Sequence, residues 1–228
     1  MRLLVVGHGR MGQLVEKLAP EHGFEVAAIA DVHTPIPVAL ETAGAVDVAI
    51  EFSLPEAVPK NVAALAARRI NVVIGTTGWQ DHESTLRGLA DRAGIGVIAS
   101  ANFSIGMNIF RFLVEQASRT FVQTDAGAWI HEAHHAAKMD APSGTARLLF
   151  DAMRLAGYSR SIDVSSTRAG HIPGTHIVGF DGPSESITLT HTARDRGGFA
   201  RGALTAATWV KGRTGWFSMQ DVLGIANR

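Results

Sequence analysis

A glycine-punctuated turn between an apolar run and a helical repeat does most to restrict the folds open to this chain. Leu3 to Val6 is continuously apolar, and Gly7-His8-Gly9-Arg10-Met11-Gly12 follows. Met11, Leu14, Val15 and Leu18 then recur at the spacing of a helix. Strand, glycine loop and helix in that order form the dinucleotide fingerprint: glycine tightens the turn and lets a helix N-terminus approach a pyrophosphate. The acidic residue expected about 20 positions on is Asp31, at the end of a second strand, Glu25 to Ala30. Gly7, His8, Gly9, Arg10, Met11, Gly12 and Asp31 are therefore candidate cofactor contacts. The competing reading is a turn that only packs helix on sheet.

The alternation continues. Asp47 to Phe52 reads as a third strand, and Ser53-x-x-Glu56 with Pro55 reads as a capping box opening a helix that reaches Arg69. Asn71 to Ile74 is a fourth strand, Asp81 to Ala93 a polar helix and Ile95 to Ala99 a fifth strand. Thr34 to Pro37 reads as a local loop. Buried strands alternating with helices predict an α/β fold whose parallel sheet is covered on both faces. Ligands bind such sheets beyond the carboxyl ends of the strands. That places Gly75, Thr76 and Thr77, and Ser100, Ala101, Asn102 and Phe103, among the candidate cofactor contacts; Phe52 is a weaker one, since it reads equally as core.

Past residue 104 the pattern changes. Ile105, Ile109, Phe112, Leu113 and Gln116 mark one longer helix, Ala126 to Ala133 is extended, and Ser143 opens a helix marked by Ala146, Leu148, Leu149, Ala152 and Leu155. From Ser161 to Thr192 the helices stop, and Ser186 to His191 alternates as half-buried antiparallel strands do. A last helix, Ala200 to Val210, closes the chain. Arg168, His171, His176 and Arg194 read singly as solvated loop positions.

Lys+Arg and Asp+Glu both number 21 in 228 residues, so neither nucleic acid nor a membrane surface is an expected partner. The absence of cysteine excludes disulfides, thiol catalysis and thiolate-held metal. The opening apolar run is too short for a signal peptide, and no run of about 18 apolar residues exists; a cytoplasmic protein is expected.

One segment concentrates proton chemistry. His131, His134, His135 and Lys138 fall within eight residues, followed by Ser143-Gly144-Thr145. Imidazoles trade protons near neutral pH, and a lysine can hold a carboxylate. A helix start offers backbone N–H groups to an anionic oxygen. The segment reads as a proton donor beside a carboxylate clamp, suited to a small acidic substrate. A rival reading is a zinc hydrolase, because His131-Glu132-x-x-His135 matches H-E-x-x-H. That motif needs a helix, whereas Trp129 and Ile130 suggest a strand and Pro142 stops any helix. Further rivals are histidines without chemistry, a nucleotide-binding sensor without turnover and another nicotinamide-dependent reductase.

Glu132 to Ala146, reading EAHHAAKMDAPSGTA, resembles the signature of the 4-hydroxy-tetrahydrodipicolinate (dihydrodipicolinate) reductase family of lysine and diaminopimelate synthesis. Supporting blocks fall in the family's order: Gly9 to Gly12, Phe52 to Glu56, Gly75 to Gly78, Ala101 to Gly106, Arg168 to Gly170, Thr190-His191 and Phe199 to Ala203. The resemblance implies a Rossmann-type dinucleotide-binding domain over residues 1–104 and 200–228. It also implies an α+β substrate-binding and tetramerisation domain over 105–199 with a mixed, largely open sheet. It implies reduction of a cyclic dicarboxylate by NADH or NADPH after loss of water, in a homotetramer. By position, His134 would be the proton donor assisted by Lys138, while His135, Ser143, Gly144 and Thr145 would hold substrate carboxylates. Two departures stand out. The stretch from Asp31 to Phe52 is short, and Asp31 is followed by Val32-His33 where many members carry an arginine. A carboxylate there favours free ribose hydroxyls over a 2′-phosphate, so NADH is expected to be preferred and NADPH tolerated.

Overall fold

The computed structural model describes residues 1–225, which divide into two compact units: Met1–Ile105 together with the segment from Gly197 onward, and Gly106–Arg196. In chain order the first unit begins with β1 (Arg2–Val6), α1 (Arg10–Leu18), β2 (Glu25–Ala30), α2 (Ile36–Ala43), β3 (Val48–Glu51), α3 (Val58–Ala67), β4 (Asn71–Ile74), α4 (Glu83–Ala93) and β5 (Gly96–Ala99). Then come α5 (Ile105–Phe121), β6 (Gly127–His134), α6 (Gly144–Leu155), β7 (Ile162–Arg168), β8 (Thr175–Asp181) and β9 (Ser186–Thr192). The chain returns to the first unit with α7 (Gly197–Trp209), β10 (Gly215–Phe217) and α8 (Met219–Val222).

The first unit is a six-stranded, all-parallel sheet in the order β10-β5-β4-β3-β1-β2. Alternate side chains of each strand face opposite ways. Leu4, Val6, Ala49, Val72 and Ile74 pack under α2, α3 and α4, whereas Leu3, Val5, Val48, Ile50 and Val73 pack under α1 and α7. Helix α7 lies close because it is built of small residues: a Cβ on Gly202 would stand 1.7 Å from the Phe103 carbonyl oxygen. β1 pairs with both β2 and β3. The chain therefore reverses its direction of travel across the sheet beside β1, the kind of switch point at which doubly wound sheets bind ligands. The shortness between Asp31 and Phe52 has a simple form: one helix links β2 to β3, and β2 is the sheet edge.

Three expectations are corrected. Thr34 to Pro37 is not only a loop: Pro35 caps α2, and Ile36, Ala39, Leu40 and Ala43 bury at helical spacing. Proline is accepted there because a first-turn N–H needs no helical partner. The capping box at Ser53 does not form; Leu54 precedes a 3-10 turn over Pro55–Ala57 without a side-chain cap. The Ser53 hydroxyl donates instead to the buried Glu51 carboxylate. Nor does α7 end the fold, since β10 adds a parallel strand beside β5 and Ser218 caps α8 with a true capping box.

The second unit is a four-stranded sheet in the order β7-β6-β8-β9, with β6 and β7 parallel and the other pairs antiparallel. One face carries Ala128, Ile130, Val178 and Phe180 against α5 and α6. The chain's single tyrosine, Tyr158, is buried there and donates to the Ala126 carbonyl at 2.6 Å. Among the described residues no helix is long and apolar enough to cross a membrane.

Candidate active site

In the first unit the three loop glycines have separate structural reasons. Gly7 has φ +86°, and a Cβ there would sit 2.3 Å from the Phe52 carbonyl. A Cβ on Gly12 would meet the Gly7 carbonyl at 1.9 Å, so this glycine lets α1 settle against the turn. Gly9 is different: a Cβ there would meet nothing within 4 Å, and it caps α1 without a side-chain bond. An open cradle at a helix start, with backbone donors left for a guest, fits a pyrophosphate. His8 pairs with Glu16 at 2.7 Å.

Asp31 ends its strand as expected, but its carboxylate also builds a turn, accepting from the backbone N–H groups of His33 and Thr34 at 2.8 Å each. The Thr34 and His33 N–H groups hold its carboxyl below the usual range. A cavity of about 590 Å³ opens over the carboxyl ends of β1, β2 and β3, lined by Gly7, His8, Gly9, Asp31 and Phe52. Thr76, Ser100 and Ala101 line a second cavity of about 330 Å³, walled by Trp79, Trp216 and Phe217. Arg10 and Thr77 are exposed. Met11 is half-buried against the core, and the Phe52 ring fills the space beside Gly75. Asn102 accepts from the Ser100 hydroxyl and the Ser104 N–H and donates its own N–H to Ser100 Oγ in a tight turn, and Phe103 is core.

In the second unit the hub is Glu132, on β6 and fully buried. One oxygen accepts from Arg168 Nη2 at 2.7 Å and from the Ser143 N–H at 3.2 Å. The other accepts from Arg168 Nη1 at 3.0 Å and is paired with His134 Nδ1. Burial by itself raises this carboxyl, but Arg168, Ser166, His134 and the Ser143 N–H outweigh it and hold the group at about 2. Glu132 is thus a fixed anion at neutral pH. With Nδ1 engaged, His134 has Nε2 left for chemistry, and Gly174 passes so near that a Cβ there would lie 3.2 Å from that atom.

His176 stands edge-on to His134 with ring centroids 5.1 Å apart, and its Nε2 lies 3.2 Å from Ser143 Oγ. Burial, then the neighbouring His134, depress it to about 4, so it is neutral at pH 7. Ser143 also caps α6, accepting from the Ala146 N–H at 3.2 Å. Lys138 reaches Asp140 at 2.7 Å, and Arg168 pins the same loop through the carbonyls of Lys138 and Asp140. His135 and Gly144 are exposed and Thr145 is half-buried.

The H-E-x-x-H spacing falls on a strand. His131 turns to the other face of β6 and meets Ser165 at 2.9 Å. Glu132, His134 and His176 do bring three donor atoms within 4.8 Å of one another. Both oxygens of Glu132 are occupied by the Arg168 guanidinium, whose charge repels an added cation. The solvated reading of Arg168 and His176 is corrected: strand pairing sets Arg168 opposite His134 and His176 opposite Glu132. Glu132 as anchor, Arg168 and His176 are the residues that sequence reasoning passed over. Long-range pairing brings them together, and no local spacing signals it.

Residues 1–103 match the family model for the dihydrodipicolinate reductase N-terminus, and residues 106–223 match that for its C-terminus. The chain is 40% identical to a 4-hydroxy-tetrahydrodipicolinate reductase of Caulobacter vibrioides, covering 99% of this chain and 98% of the relative. It is 35% identical to the Christiangramia forsetii protein of the same name, with 98% of each covered. A dipicolinate-bound dihydrodipicolinate reductase from Paenisporosarcina superposes with a TM-score of 0.82 at 22% identity, over 97% of this chain and 98% of that one.

Proposed function

This chain belongs to the dihydrodipicolinate reductase family, and from that premise we propose how its residues divide the work. It is a nicotinamide-dependent oxidoreductase that reduces 4-hydroxy-tetrahydrodipicolinate, with loss of water, to tetrahydrodipicolinate in lysine and diaminopimelate biosynthesis. The bound dinucleotide supplies a hydride. Gly7 to Gly12 hold its pyrophosphate, Asp31 its adenosine ribose, and Phe52, Gly75 to Thr77 and Ser100 to Phe103 line the remainder of the groove.

The observation that carries the proton step is the buried Glu132 anion bonded to His134 Nδ1. It fixes the orientation of the ring, leaving the Nε2 proton for the electron-rich substrate atom left by reduction. Such general acid help is worth roughly 10²–10⁴-fold in rate. Lys138 leaves Asp140 for a substrate carboxylate or assists as donor. His135 and the Ser143-Gly144-Thr145 helix start hold the carboxylates, where backbone N–H groups favour anions.

NADH is preferred and NADPH tolerated, because the Asp31 carboxylate stays ionised and repels a 2′-phosphate. The assembly is a homotetramer formed through the open sheet face. That face carries Trp129, His131, Thr188 and Thr190, opposite the face that α5 and α6 cover. The protein works in the cytoplasm, which fractionation of cells would test. A coupled assay with freshly generated substrate, following NADH and NADPH in parallel, tests the chemistry. Rapid oxidation that falls at least 100-fold in His134→Gln supports the donor assignment, and undiminished turnover refutes it. Equal or better efficiency with NADPH refutes the cofactor preference. A stable dimer in sedimentation refutes the tetramer.

A further inference from the structure

The buried carboxylate at the end of β3 is used by no step above. Glu51 is fully buried. Its Oε1 is saturated: the Ser53 N–H donates at 3.2 Å, Asn61 Nδ2 at 3.3 Å, and the Ser53 hydroxyl also donates to it. Asn61 Nδ2 also reaches Ser53 Oγ at 3.2 Å, closing a small network between the β3 loop and α3. Its Oε2 has no hydrogen-bond partner, and neither has the buried hydroxyl of Thr76, in the loop after β4. The two residues adjoin, since the N–H of Gly75, next to Thr76 in the chain, donates to the Glu51 carbonyl at 2.9 Å, and the Thr76 side chain acts on the Glu51 carboxylate. The Thr76 backbone is itself held, its carbonyl accepting from Trp79 Nε1 at 2.7 Å.

We propose that Glu51 is a positioning residue for dinucleotide binding, a latch that joins the Phe52–Ser53 loop, α3 and the Gly75–Thr77 loop through its two oxygens. An ionised carboxylate only accepts, so the Thr76 O–H completes the latch by donating to it. A protonated carboxyl carries its hydrogen on Oε2, because Oε1 is already taken by three donors. The bond to Thr76 then reverses, and the charge that strengthens the other three is gone. Burial pushes the Glu51 carboxyl above its ordinary value, so this change sets in at a higher pH than for an exposed glutamate. The groups facing it, Ser53, Asn61 and Thr76, do not titrate. The inference rests on the cofactor reading of the first unit.

The test is calorimetric titration of the whole protein with NADH between pH 5 and 8. Wild-type affinity should weaken toward acid. Glu51→Gln mimics the protonated carboxyl and should bind about tenfold more weakly at pH 8, with a flat pH profile, for the loss of one charge-assisted bond. Thr76→Val should match its affinity at pH 8, Thr76→Ser should restore wild-type behaviour, and at pH 8 the double variant Glu51→Gln/Thr76→Val should be no weaker than either single one. The threonine variants carry the test if Glu51→Gln does not fold. Wild-type-like binding and pH profile in Glu51→Gln and Thr76→Val would overturn the latch alone, as would additive losses. A wild type that binds no dinucleotide at any pH would overturn the cofactor reading and the latch with it.

Discussion

Replacing Arg168 by methionine should destabilise the second unit at neutral pH by an amount that shrinks as the solution is made acid. In the native protein Arg168 makes two bonds to the fully buried Glu132, at 2.7 and 3.0 Å, and further bonds to the carbonyls of Lys138 and Asp140. Removing one partner of a buried pair leaves an uncompensated charge and costs about 3–5 kcal/mol. The Glu132 carboxyl, at about 2 against an ordinary 4.5, points to a similar size: about 3 kcal/mol in favour of the ionised form. The sign follows from linkage. A depressed carboxyl stabilises the native fold above pH 4.5, and that contribution drains away as pH falls toward 2. In Arg168→Met burial dominates and the carboxyl rises, so the variant regains stability as it is protonated. The gap between the two proteins should therefore be about 3 kcal/mol at pH 7 and distinctly smaller at pH 5. Urea unfolding, read through hydrogen exchange of β6 and β8 amides, follows this unit by itself. A gap below 1 kcal/mol at pH 7, or one unchanged at pH 5, would refute the reasoning.

Three other outcomes follow from single contacts. Gly202→Ala drives a Cβ into the Phe103 carbonyl and should cost about 3 kcal/mol, lowering the melting temperature of the whole protein; an unchanged melt would show that α7 can slide. His176, neutral when folded, makes the native state lose stability as pH falls from 6.5 through about 4. His176→Leu should flatten that part of the stability–pH curve by up to about 3 kcal/mol, and an equally steep curve would assign the acid loss elsewhere. Lys138→Met should raise KM for the dicarboxylate more than tenfold with less effect on NADH binding, and a selective fall in kcat would make Lys138 a proton donor instead.

The order of elements in the first unit was legible because each carries a local mark: short β-branched or aliphatic runs, glycine turns, and apolar residues at helical spacing. Where a mark was ambiguous the reading slipped. Pro35 and Pro37 resembled a loop although they open α2, and Ser53 resembled a cap although a buried carboxylate competes successfully for its hydroxyl. β10 is three residues long, too short to show alternation, and is a strand only because β5 offers it an edge.

The candidate site divides along the same line. The linear sequence pointed to the reaction class, because the residues proposed as proton donor, lysine contact and carboxylate clamp are neighbours along one segment, and the glycine loop proposed for the dinucleotide is another. It determined neither what anchors His134 nor what keeps Glu132 ionised. Those depend on β7 and β8 lying either side of β6, which brings Arg168 and His176 from more than 30 residues away. Charge stabilisation acts through space and grows as water is excluded, so the tuning of this site could be decided only when the sheet closed around it.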